Sequence, residues 1–409
     1  METTAVRLYG KNDLRLEKFS LPEINENEIL IKIISDSVCM STYKTALQGA
    51  AHLRVPDNVA EHPIIVGHEF CAEIYEVGNN WKDAYSVGEK VIIPPVLGYL
   101  GGNQTIGYSF EEIGGCSEYA VVYEHIIKNG YLIKLNSDAF FKGSLIEPAS
   151  CVLRGYKANY HLDLKYNPVM NIKENGTTAI LAGCGPMGLV AIDIALHGDV
   201  KPKRVVVTDL NPERLRRAEE LFCDKTNGVE LVFSNASDKQ SLMELSDNKG
   251  YDDVFVYAPV SAVIELADSI LSFDGCLNFF AGPIDKSLSA KMNFYNVHYA
   301  QHHIAGTSGS TPDDMRDIVR MIGENRIDPA VMVTHIGGID AAIETIEKLP
   351  QIPGGKKLIY THIKLKLTAL EEFEQLGEKD ERFKRLNEIV KNHNGLWCAE
   401  AERYLLGHF

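Results

Sequence analysis

No stretch of about 18 consecutive apolar residues occurs in the chain, so no membrane-spanning helix is expected. The first residues, METTAVRLYGKNDLRLEKF, place charges early and contain no apolar core, which argues against a secretory signal peptide. Positive charge is in deficit, with Lys+Arg 41 against Asp+Glu 56 and a net charge of −15. That balance argues against nucleic acid or an anionic membrane as partner, and an anionic substrate would need a local basic pocket. Cysteines are few and scattered, eight in all, at 39, 71, 116, 151, 184, 223, 276 and 398. Most sit in apolar, strand-like contexts, which suits buried thiols in a reducing compartment rather than a disulfide framework, and a cytoplasmic protein is expected. Internal repeats and low-complexity segments are also missing, so neither a repeat array nor a disordered tract is indicated. What remains is ordinary for a water-soluble globular chain: 409 residues, 45% hydrophobic and 24% charged, long enough for two domains.

The most informative stretch is residues 179–209. An apolar run, Ala179-Ile180-Leu181-Ala182, is short enough for a buried strand. It breaks into Gly183-Cys184-Gly185-Pro186-Met187-Gly188, a G-x-G-x-x-G, followed by an apolar helix-like segment and a second strand ending at Asp209. In a dinucleotide fold the first glycine permits the tight turn and the second lets backbone N–H groups approach a pyrophosphate. The third lets helix and strand pack closely, and the helix N-terminus faces the anion. Gly183, Gly185, Pro186, Met187, Gly188 and Asp209 are therefore the expected cofactor-binding residues, with Asp209 on a ribose 2′-OH and Arg214 nearby. The glycine motif alone would say little; its register with strand, helix and acid carries the reading.

Around this stretch the chain divides. Residues 1–135 read as short β segments punctuated by glycine, including turn glycines 78, 88, 98, 101 and 102, with little helix. Residues 94–116 form a glycine- and tyrosine-rich loop, and a helix is entered through Glu147-Pro148. Alternating strands and helices over residues 156–308 predict a parallel, doubly wound sheet. Thr368-Ala369-Leu370-Glu371 resembles a capping box opening a charged helix, so residues 366–409 read as a helical C-terminal extension.

The β half carries a second set of polar residues. Cys39 follows a strand in Ser37-Val38-Cys39-Met40-Ser41-Thr42, Gly67-His68-Glu69 lies between strands, and Glu147 stands at a helix start. A thiolate, an imidazole and two carboxylates suit zinc, which in a catalytic site keeps a position open to water or substrate. Each residue alone has an ordinary explanation: a buried small thiol, a hydrogen-bonded core histidine, a solvated strand charge, a dipole-favoured acid. Together, beside a dinucleotide fold, they favour a metal. His298 and His302 are four apart, but residues 293–299 do not read as a helix, and His302-His303 is expected to line a cleft or lie at the surface.

The order Cys39, Gly67-His68-Glu69, Glu147-Pro148, Gly183-x-Gly-x-x-Gly188 and Asp209 resembles the zinc-dependent medium-chain dehydrogenase/reductase family, over about residues 1–360. Stretches at 35–42, 278–283, 293–299 and 332–338, and the helical tail, are most similar to its L-sorbose-1-phosphate reductase branch. The resemblance implies a GroES-like all-β catalytic domain (1–155, with a return over 309–365), a Rossmann cofactor domain (156–308) and the extension (366–409). It implies one catalytic zinc on Cys39, His68 and Glu147, with Glu69 either a ligand or an exchangeable neighbour, and Ser41 passing a proton. Three departures stand out: Ala72 replaces the last glycine of Gly-His-Glu-x-x-Gly, Thr42 replaces an Asp, and Lys44 stands where many members have a relay His. The loop at 94–116 offers only Cys116, so a four-cysteine structural zinc is not expected.

The expected activity is hydride transfer between NAD(P)H and a ketose or polyol, with L-sorbose 1-phosphate to glucitol 6-phosphate as the leading reaction. NAD(H) is the favoured cofactor and NADP(H) is left open by Arg214 and Arg216. Lys44 and Arg54, between the first two ligand regions, are candidate phosphate contacts. The alternatives are a dehydrogenase of an unphosphorylated polyol, a zinc-free reductase of the same superfamily, and a non-catalytic NAD(P)H-binding protein. The resemblance further implies a homodimer or homotetramer.

Overall fold

The computed structural model describes residues 1–96 and 104–409; the expected turn glycines Gly98, Gly101 and Gly102 lie outside the described residues. The chain packs as two units, Met1–Glu147 with Val333–Phe409, and Pro148–Met332.

The first unit is built on the strand Ile29–Val38, buried at nine of its ten positions, Lys32 being the exception. The strand's first six residues are apolar apart from Lys32, and Ile29, Ile31 and Ile33 join Phe70, Ala72, Ile74 and Val91 in one cluster. It pairs antiparallel with Phe70–Val77 and Tyr119–Val122, and its last residues pair with Lys356–Tyr360. The sheet continues through Val333–Gly338 to Thr368–Ala369 on one side and through Lys90–Ile92 to Ile133–Lys134 on the other. Ile29–Val38 ends on a polar stretch, Ser35-Asp36-Ser37, that stays buried, which places polar atoms inside the unit at the point where Cys39 follows. This half, read as having little helix, holds one at Met40–Gln48, directly after Cys39.

The second unit is a six-stranded parallel sheet among the described residues. Its order is Glu230–Ser234, Arg204–Thr208, Thr177–Leu181, Tyr251–Val256, Leu271–Phe279 and His303–Gly306. In chain order these are strands 3-2-1-4-5-6, with the switch point beside Thr177–Leu181, so the doubly wound expectation holds. Thr177–Leu181 is buried at every residue, as a central parallel strand must be. The short edge strand Glu230–Ser234 escaped the sequence reading because its apolar run, Leu231-Val232-Phe233, is only three residues long and lies half-buried at the sheet edge.

Two local expectations are corrected. Residues 293–299 do form a helix, Phe294–Tyr299, started by Asn293, whose side chain accepts from the N–H groups of Tyr295 and Asn296. The expected capping box is shifted: Thr368 belongs to a strand and donates to the Lys366 carbonyl, while Glu372 reaches back to the Ala369 N–H at 2.8 Å. The tail is nonetheless helical, with Phe373–Gly377, Glu381–Asn392 and Ala399–His408.

Candidate metal centre and dinucleotide site

Cys39 is the residue at which the central strand becomes a helix, with φ −115° and ψ 150°. Gly67, at φ +91°, turns the chain so that His68 and Glu69 lead into the next strand, Phe70–Val77; a side chain there would meet Asp36 Oδ2 at 2.6 Å. Asp36 is buried and accepts hydrogen bonds from the Glu69 N–H at 3.2 Å and from the Cys116 thiol at 3.2 Å. Burial pushes its carboxyl well above the ordinary range. Cys116 is thus a buried thiol on Asp36.

These turns bring ligand atoms of Cys39, His68 and Glu69 within 4.8 Å of one another. Burial pulls the His68 imidazole down to about 4, so it is neutral near pH 7 and available as a ligand. Burial, together with the Glu69 and Glu147 carboxylates, pushes the Cys39 thiol up to about 12. Without a metal ion the thiol keeps its proton, even with Lys356 close by. A thiol, a neutral imidazole and nearby carboxylates fit a zinc ion, whose binding would release that proton. Glu147, in the first turn of Ile146–Ala158, lies outside the tight group but near enough to act on Cys39, Tyr108 and Lys356.

Two members of the site escaped the sequence reading. Lys356 is buried, and its Nζ donates to both Glu69 oxygens, at 2.7 and 2.5 Å. Burial lowers its pKa, but Glu69, Cys39 and Glu147 outweigh that and raise it. Glu69 is therefore engaged by a cation, which favours its role as a neighbour of the metal. A lysine opening the buried strand Lys356–Tyr360 was the available signal, since a buried cation needs a carboxylate. The second is Tyr108, buried, with its hydroxyl 3.5 Å from His68 Nε2 and hydrogen-bonded to Ser41. Burial drives its phenol well above the ordinary value. It comes from the glycine-rich loop, where no periodicity marks single residues.

Thr42, in place of the Asp of the family pattern, sets its hydroxyl 3.4 Å from His68 Nδ1. Lys44 and Arg54 converge electrostatically on His52, whose pKa is lowered first by burial and then by both cations. The His52 ring stacks on Tyr108 at 5.4 Å, and the Arg54 guanidinium lies 5.6 Å from the same ring. His298 is exposed at a helix end and joins no metal group among the described residues. His302 and His303 are both buried rather than at the surface, and His303 Nε2 lies 2.7 Å from Asp274 Oδ1. They follow a helix into an edge strand, where the His303 ring packs on Tyr160 at 4.1 Å.

In the second unit, Gly185 is the N-cap and Pro186 the first residue of helix Pro186–His197. A Cβ on Gly188 would lie 2.1 Å from the Gly183 carbonyl oxygen, whereas one on Gly185 would meet nothing within 4 Å. The third glycine is thus needed for packing, and the second leaves its backbone approachable by a pyrophosphate. Asp209 closes strand Arg204–Thr208 and accepts from the Cys184 N–H at 3.2 Å and the Asn211 N–H at 2.9 Å. Arg214 is exposed and acts on Cys184; Arg216 is paired with Glu220 at 2.6 Å.

Residues 25–130 match the family described as "Alcohol dehydrogenase GroES-like domain", and 186–324 match "Zinc-binding dehydrogenase". L-sorbose 1-phosphate reductase of Klebsiella pneumoniae is 45% identical, with 99% of this chain and 98% of that one covered. The chain belongs to the zinc-dependent medium-chain dehydrogenase/reductase family. This dehydrogenase is equally similar, 45% over 99% of its own chain and 97% of the other, to mannitol-1-phosphate 5-dehydrogenase of Aliivibrio fischeri. The fold is shared with 2R,3R-butanediol dehydrogenase of Bacillus subtilis, with a TM-score of 0.71, 23% identity, and 88% and 100% of the two chains covered. It is shared also with galactitol-1-phosphate dehydrogenase of Escherichia coli, with a TM-score of 0.65, 21% identity, and 87% and 99% covered. No helix among the described residues is long and apolar enough to cross a membrane.

Proposed function

We propose that this dehydrogenase interconverts a ketose phosphate and a polyol phosphate, with L-sorbose 1-phosphate to glucitol 6-phosphate as the leading reaction and NAD(H) as the preferred cofactor. The observation that carries the reading is the cationic face beside the metal group. Lys44 and Arg54 act on one imidazole, His52, stacked on the Tyr108 ring whose hydroxyl lies beside His68. In a chain with net charge −15, such a cluster is where a dianionic phosphate would be held. The two relatives at 45% identity, both named for phosphorylated sugars or polyols, support the same class.

Zinc, when bound, polarises a carbonyl as a Lewis acid, and the reduced nicotinamide supplies the hydride. Cys39, His68 and Glu147 would hold the ion, with Glu69 kept beside it by Lys356. The Ser41 hydroxyl would give a proton to the substrate oxygen, with Tyr108 bonded to it. The balance is ketone plus NADH plus a proton to secondary alcohol plus NAD+. Gly183, Gly185, Pro186, Met187 and Gly188 would cradle the pyrophosphate. Asp209 would accept from the ribose 2′-OH and repel a 2′-phosphate, and Arg214 would soften that preference.

Metal analysis and a screen of ketoses, polyols and their phosphates with both cofactors test the reading. Lys44→Ala and Arg54→Ala are each expected to raise KM for a ketose 1-phosphate by about 10–100-fold, the equivalent of about 1.5–3 kcal/mol for a charge-assisted contact, and to leave the free ketose nearly unaffected. Equal efficiency on L-sorbose and its phosphate would sink the phosphate assignment and leave a free-polyol dehydrogenase. Comparable kcat/KM with NADH and NADPH would remove the cofactor preference.

A further inference from the structure

The helical extension ends in Ala399–His408, and its Glu402 is only 2% exposed. The Glu402 carboxylate accepts three hydrogen bonds. Oε2 takes the Phe140 N–H at 2.6 Å, while Oε1 takes the Phe141 N–H at 2.7 Å and the Tyr360 hydroxyl at 2.9 Å. The Trp397 indole N–H, also from the extension, donates to the same Tyr360 oxygen at 2.7 Å. Tyr360 and Trp397 are themselves almost wholly buried.

Both anchors lead back to the metal group. Phe140 and Phe141 open the short helix Phe140–Ser144, and Glu147 follows three residues after its end. At that end, Ser144 Oγ donates to the Ser35 carbonyl at 2.8 Å and lies 2.6 Å from Ser35 Oγ, on the strand that delivers Cys39. Tyr360 closes the strand Lys356–Tyr360, whose first residue holds Glu69. One carboxylate thus ties the segment carrying Glu147 to the strand carrying Lys356. Packing alone would be served by an apolar side chain. A buried carboxylate is tolerated only where its donors are held in place, and so fixes their positions in turn.

We propose that Glu402 is a positioning residue for the metal centre, and that the C-terminal extension serves to hold Glu147 and Lys356 in register with Cys39 and His68. The proposal rests on the metal reading of that group. In Glu402→Gln the amide NH2 must face at least one of the three donors, so at least one tie is lost. Tyr360→Phe removes the tie to the Lys356 strand, together with the bond from Trp397, and leaves the Phe140 and Phe141 ties in place.

The test uses the full-length, zinc-loaded protein. Zinc loss to a chromogenic chelator is timed, and the absorption spectrum is recorded after cobalt(II) substitution. Glu402→Gln is expected to lose zinc about tenfold faster, in the range seen when outer partners of metal ligands are removed. Its cobalt ligand-field bands should shift while the thiolate charge-transfer band persists. Leu132→Ala, in the apolar cluster around Val77 and Ile126, should lower the unfolding midpoint and leave both metal readouts unchanged. A folded Glu402→Gln with wild-type zinc loss and cobalt spectrum overturns the proposal. Should that variant not fold, Tyr360→Phe decides: faster zinc loss supports the link, and a wild-type rate overturns it. A wild-type protein that takes up neither metal overturns the metal reading and this proposal together, whereas a loaded wild type with unaltered variants overturns this proposal alone.

Discussion

At the scale of single residues, the site is governed by a charge ledger that only burial makes strict. Lys356 and Glu69 are both buried and face each other at 2.5–2.7 Å. Removing one partner strands the other in a low-dielectric interior, so Lys356→Met is expected to destabilise the metal-free protein by about 3–5 kcal/mol. Adding Glu69→Gln should recover much of that loss, because the stranded charge is gone. Urea unfolding of the two single variants and the double variant measures the coupling directly; additive effects would show that the pair does not act as a unit. The ligands themselves behave differently. Cys39→Ser and His68→Ala remove donor atoms from the centre and are expected to abolish bound zinc and turnover together. Near wild-type turnover in either one would refute the assignment.

Among the elements, the turn between strand Thr177–Leu181 and helix Pro186–His197 is the most tightly constrained. Gly188 has no room for a methyl group, its would-be Cβ falling 2.1 Å from the Gly183 carbonyl oxygen. Gly188→Ala must push the helix away from the strand and misplace the N–H groups that face a pyrophosphate. The expected result is NADH affinity weakened by about tenfold or more, read by fluorescence titration, with zinc content unchanged because the metal donors belong to the other unit. Gly185→Ala provides the contrast, since its backbone is open and φ is ordinary at −79°. That substitution should fold normally and weaken binding only by obstructing the ligand.

On the scale of the whole chain, the first unit is discontinuous in sequence and depends on its last residues. Glu402 carries a pH signature of that dependence. Burial raises its carboxyl from an ordinary 4.5 to about 7, against the lowering effect of its three donors. The folded state then holds the proton more tightly than the unfolded state. The contribution to stability is complete below about pH 4.5 and is lost as pH rises through about 7. Unfolding midpoints measured across that window should fall more steeply for the wild type than for Glu402→Gln. Parallel curves would show that the carboxyl titrates outside the window.

Much of this protein was legible in one dimension because the relevant signals are local. A glycine motif in register with strand, helix and acid specifies its own turn, since Gly183 and Gly188 answer to atoms three to five residues away, Ile180 and Gly183. Cys39, Gly67-His68-Glu69 and Glu147-Pro148 stood out as candidates for the same reason: each sits at an element boundary that its neighbours define. Phe294–Tyr299 was misjudged because an Asn cap on a short, aromatic-rich segment gives no apolar period. The partners were decided only in three dimensions. Lys356 meets Glu69 across 287 positions, and Glu402 meets Phe140 across 262. Tyr108 comes to His68 from a loop without periodicity, 40 residues on. No local pattern encodes these pairings. A buried charge or hydroxyl takes whichever donor or acceptor the packed sheet delivers, and leaving it unpaired would cost more than the fold can spare.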